Sequence, residues 1–77
     1  MIFLIEYDRD SGKMVSFRSF DDSQRETAES TRLELELELN RRGVEREVVI
    51  LEAASEEAVR RTHRRYFETL EELLTAS

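Results

Sequence analysis

The chain contains no cysteine, no proline and no tryptophan, and only two glycines among its 77 residues. Without cysteine there is neither a disulfide framework nor a thiolate metal site. Gly12 and Gly43 stand alone, in neither a phosphate-cradling loop nor a dinucleotide fingerprint, so no nucleotide cofactor is expected, nor any other. No apolar stretch approaches the about 20 residues that cross a bilayer. The apolar start, Met1 to Ile5, stops at Glu6, short of the about 7–15 residues of a secretory leader's core, so a cytoplasmic chain without membrane association is expected. Low-complexity tracts, linker-like composition and internal repeats are missing too.

Charge is what the chain has in excess. Asp, Glu, Lys and Arg make up 39% of it, against roughly 25% in an average domain. Apolar residues, also 39%, fall below the usual about 45–50%. A chain of this length holds one core over residues 1–77, and with so few apolar groups that core is small for a monomer. Oligomerisation is the remedy left when disulfides are excluded and no metal-ligand set stands out, so a homodimer, or docking to a larger protein, is expected. The net charge of −6 repels nucleic acid and anionic lipid at long range.

The chain reads as an α+β domain of two layers in the order ββαβα. Residues 1–8 are rich in β-branched and aromatic side chains, Asp10-Ser11-Gly12 supplies a turn, and residues 13–19 resume as a second strand. Alternation along the first strand puts Ile2 and Leu4 on one face and Phe3, Ile5 and Tyr7 on the other, as in a central strand covered on both sides. In the second, Val15 and Phe17 share a face with Lys13, while Met14, Ser16 and Arg18 take the opposite one. A helix is expected over 22–42, opened by an Asp21/Gln24 capping box and closed by Gly43 in the left-handed conformation, with Val44 touching Leu39. Residues 45–52 hold the run Val48 to Leu51, a strand buried on both faces, and Ser55 caps a last helix over 55–74 whose apolar stripe is Val59, His63, Tyr66, Leu70 and Leu73. The three strands form a mainly antiparallel sheet in the order 2-1-3.

One stretch resists this assignment. From Leu33 to Leu39, leucine and glutamate alternate with the strict period of two that marks a half-buried strand. Both residue types favour helix, and Arg25/Glu29, Arg32/Glu36 and Glu38/Arg42 are spaced for helical ion pairs, so helix is expected. The alternative is a second β-hairpin over residues 32–51. If helical, the run splits into two stripes: Ala28, Leu35 and Leu39 on one side, and Leu33 and Leu37 almost opposite. A single sheet covers only the first stripe, which makes Leu33 and Leu37 a candidate interface.

Side chains with chemical potential are few. Arg60, Arg61, Arg64 and Arg65 lie along one arc of the last helix and form a candidate phosphate-contacting patch, with Tyr66 or Phe67 available to stack on a base. A solvated ladder of Glu56/Arg60, Glu57/Arg61 and Arg64/Glu68 pairs accounts for the same residues. His63, the single histidine, falls on the apolar stripe and reads as a packed core residue; the small-enzyme alternative has no motif placing a nucleophile beside it. Tyr7 and Tyr66 read as packing residues. Asp8 to Gly12 misplaces the glycine of a calcium loop and has Ser19 where the loop's closing glutamate belongs, so it reads as a charged turn. Glu34, Glu36, Glu38, Glu45 and Glu47 form a block of negative charge that reads as a solvated face, or as a surface for a basic protein. No catalytic, cofactor or metal site emerges. The function expected is a small self-associating protein-interaction module, with nucleic-acid binding through residues 60–65 as the alternative.

Overall fold

The structure, a computed structural model, describes residues 1–67. Strands β1 (Ile2–Asp8), β2 (Lys13–Phe20) and β3 (Glu47–Glu52) form one antiparallel sheet in the order β2-β1-β3. Helix α1 (Arg25–Arg42) connects β2 to β3, and α2 (Glu56–Thr62) follows β3. This is the expected α+β fold.

The β1–β2 turn closes through the Gly12 N–H, which donates to the Asp8 carbonyl at 2.9 Å, while the Asp8 carboxylate accepts from the Asp10 N–H at 3.0 Å. Gly12 takes φ 68°, a conformation that carries no penalty without a Cβ. Between Glu6 and Tyr7 the β1–β2 register slips: Glu6 faces Ser16 but Tyr7 faces Met14, leaving Val15 as the extra residue of a β-bulge. Simple alternation therefore misplaces Met14. The bulge turns it onto the face of Phe17, where both pack against Ile5 and Tyr7, and pushes Val15 out to 45% exposure.

The period-two run is helical throughout, so residues 32–51 do not form a hairpin. A 3-10 turn at Asp22–Gln24 precedes α1, and the Gln24 side chain accepts the Asp21 N–H at 3.0 Å, one arm of the expected capping box. At the other end Gly43 takes φ 69° and donates to the Asn40 carbonyl at 3.1 Å, while Val44 donates to the Leu39 carbonyl at 2.9 Å, a Schellman motif.

Helix α1 lies over β1 and β3; Ala28 packs against Ile2, Leu4 and Phe20, with Val48 and Ile50 alongside, and Leu39 is buried nearer the end of the helix. The opposite sheet face is aromatic. Phe3 stacks on Phe17 at 5.5 Å between ring centres, Phe17 meets Phe67 edge-on at 5.3 Å, and Tyr7 meets Tyr66 edge-on at 5.2 Å. The segment after α2 thus covers this face, though not as one continuous helix. Helix α2 stops at Thr62, His63 leaves helical geometry, and a 3-10 turn at Arg64–Tyr66 swings Tyr66 and Phe67 onto the sheet. Leu70, Leu73 and Glu68 lie outside the described residues.

Candidate interaction surface

The two edges of the sheet differ in chemistry. An edge strand exposes unpaired N–H and C=O groups and invites another strand unless charge, a bulge or proline interrupts it. Edge β2 carries Lys13 and Arg18, both exposed, with the Val15 bulge between them. Edge β3 has no bulge and carries charge only at its two ends, Glu47 and Glu52. From Val48 to Leu51 it is uncharged and unbulged, and all four side chains are only half-buried. The expected burial on both faces fails because β3 has β1 on one side and no described strand on the other.

The outer surface of α1 is continuous with this edge. With about 100° between successive residues, Leu33 and Leu37 lie about 140° and about 180° round the helix from the buried Ala28. They are 57% and 59% exposed. Arg25 and Glu36, about 60° and about 80° from Ala28 in the same rotational sense, mark the side of the helix that looks toward β3. Arg25 pairs with Glu52, and Glu36 shares a cleft with Val48. Leu33 therefore stands on the shoulder of α1 above the β3 edge, and Leu37 at its crest.

Arg46, the residue before β3, and Glu47, its first residue, make ion pairs on opposite faces of the sheet. Strand alternation sends Arg46 toward α1, where it pairs with the buried Glu6, which also accepts from the Ser16 hydroxyl at 3.4 Å. Glu47 points the other way. Its Oε1 accepts from Arg9 Nε at 2.8 Å; its Oε2 accepts from Arg65 Nη2 at 2.6 Å and from the Tyr66 hydroxyl. The Tyr66 hydrogen bond, aided by both arginines, holds the Glu47 carboxyl below its usual range despite a side chain only 9% exposed. Burial, and then the bond to the Glu47 carboxylate, push the Tyr66 phenol up. Sequence spacing carried no signal of this cluster, whose members come from a turn, a strand and a 3-10 segment. A cleft of about 550 Å³ between the hairpin turn and the end of α1 opens beside it, lined by Arg9, Glu36, Asn40, Arg46 and Glu47 among others.

The four arginines of the candidate patch divide. Arg60 bonds Glu56 at 2.8 Å and lies 4.7 Å over the Phe67 ring; Arg61 bonds Glu57 at 2.9 Å. With Arg64 they line an open depression of about 500 Å³ that Glu57 also borders. Arg65 turns instead to Glu47 and lies 4.3 Å over the Tyr66 ring. The arc drawn on a continuous helix does not form, because the helix ends before Arg64.

No protein-family model matches this chain, and no curated protein or solved structure does.

His63 caps the end of α2, half-buried, its ring 6.4 Å from that of Tyr66; the imidazole makes no hydrogen bond or ion pair with a described residue. Among the described residues no three metal-ligating side chains converge, and no helix is long and apolar enough to cross a membrane.

Proposed function

We propose that this chain is a cytoplasmic protein-interaction module that works by association, self-associating through the β3 edge and the Leu33/Leu37 surface of α1. One observation carries the proposal: the sheet guards β2 with charge and a bulge but leaves β3 uncharged, unbulged and half-buried from Val48 to Leu51. The exposed leucines on the adjoining side of α1 extend that surface. In so small a domain a second polypeptide adds apolar burial to that of the described residues. Catalysis by His63 draws no support from an imidazole without a polar partner among the described residues, and nucleic-acid binding draws little from arginines already engaged by Glu56, Glu57 and Glu47.

Light scattering on the full chain across micromolar concentrations tests the proposal. A mass of twice the chain, falling toward that of one chain on dilution, is expected. A single-chain mass at every concentration would exclude self-association.

A further inference from the structure

Resting on that self-association, we infer that two copies join by antiparallel pairing of β3 with β3 about a two-fold axis at Val49, making one six-stranded sheet with both α1 helices on the same face.

The pairing is constrained by alternation. In an antiparallel pair, opposed residues carry their side chains on the same side of the sheet. A two-fold axis perpendicular to the sheet keeps each face on its own side, so some residue of β3 must oppose its own copy. The choices are Val48, Val49, Ile50 and Leu51. Centring on Val49 sets Val48 against Ile50 of the second copy and Arg46 against its Glu52, all on the α1 side. Centring on Val48 instead opposes Arg46 to Ile50 and Glu52 to Val44; centring on Ile50 opposes Glu52 to Val48; centring on Leu51 opposes Glu52 to Ile50. Only the Val49 register pairs opposite charges, and symmetry makes the pair twice. Both groups have capacity for it: Arg46 reaches Glu6 through Nη1, and the Glu52 side chain is 55% exposed beside Arg25.

The helices fit the same axis. With strands about 4.8 Å apart, a helix seated between β1 and β3 lies about 5 Å from an axis just outside β3, so the two α1 helices run about 10 Å apart. Packed helices stand about 8–10 Å apart. Their facing shoulders carry Leu33, so strand pairing would cover a leucine that one copy leaves exposed.

Because the chain has no cysteine, each single-cysteine variant carries one thiol and can report the register. Opposed Cα atoms about 4.5–5.5 Å apart lie within disulfide reach. Val49→Cys should form a cross-linked dimer under mild oxidation at low micromolar concentration. Val48→Cys and Ile50→Cys should each fail alone, yet cross-link when the two are mixed. Leu33→Lys, at an exposed position that should not disturb folding, should weaken dimerisation about tenfold or more, since each dimer loses two apolar contacts. Cross-linking of Val48→Cys or Ile50→Cys alone without Val49→Cys overturns this register but leaves self-association standing. So does a dimer that none of these cysteines captures. A chain that scatters as a monomer throughout overturns both.

Discussion

The Tyr66 hydroxyl donates a hydrogen bond to Glu47, nineteen residues earlier, and ties the segment after α2 to the first residue of β3. Arg65 Nη2 bonds the same carboxylate oxygen at 2.6 Å and the phenol oxygen at 2.7 Å. The cluster fixes Tyr66 against Tyr7 and holds the aromatic cover on its sheet face.

Tyr66→Phe removes this donor while keeping the ring. A hydrogen bond to a charged group contributes about 1.5–3 kcal/mol, and a loss in that range is expected in urea unfolding. Tyr7→Phe is the control: the Tyr7 hydroxyl makes no hydrogen bond with a described residue, so its loss should change stability by less than about 0.5 kcal/mol. Equal effects from the two variants would refute the role assigned to the Glu47–Tyr66 bond.

Acid should loosen the same cluster. The Glu47 carboxyl titrates below its ordinary 4.5 in the folded chain, so its stabilising contribution is complete above that pH and is lost as pH falls through the lower, folded value. Tyr66 titrates above its ordinary 10.0, so its contribution is complete below pH 10.0 and is lost as pH rises through the higher, folded value. Unfolding of the wild type and Glu47→Gln across both ranges should show the acid slope reduced in the variant. An unchanged acid slope would assign it to other carboxylates.

Gly43→Ala tests the end of α1. At φ 69° a Cβ meets nothing within 4 Å, so crowding by neighbours adds no cost. The left-handed conformation alone should cost about 1–2 kcal/mol. A neutral result in thermal unfolding would show that the turn relaxes to another geometry.

Leu33→Lys combined with Leu37→Lys separates folding from association. Both side chains are largely exposed in one copy, so unfolding at high dilution should change by less than about 0.5 kcal/mol. At high concentration, where dimerisation stabilises the wild type by mass action, the variant should melt earlier and lose its concentration dependence. Identical melting curves at all concentrations would remove these leucines from the interface.

The chain's local chemistry was enough to determine the hairpin turn and both ends of α1. Asp8 and Gly12 define the hairpin turn, Asp21 with Gln24 opens α1, and Gly43 closes it, because turns and caps are satisfied by residues a few places apart. Helix propensity also prevailed over the period-two pattern at Leu33 to Leu39; of the expected ion pairs Arg32 meets Glu36 at 3.6 Å, while Arg25 pairs with Glu52 and Glu38 with Arg41 instead.

Tertiary structure decided the rest. The Val15 bulge depends on how β2 meets β1, and it moved Met14 to the other face. Helix α2 ends at Thr62, where the chain turns Tyr66 and Phe67 onto Phe17 and Tyr7, and that turn parts Arg65 from Arg60, Arg61 and Arg64. The meeting of Arg9, Glu47, Arg65 and Tyr66 likewise exists only after folding. Neighbours along the chain specify periodicity, turns and caps, but strand neighbours and faces depend on contacts between distant residues. The same run from Val48 to Leu51 suits a buried central strand or an open edge equally well, and among the described residues its place beside β1 alone makes it an edge.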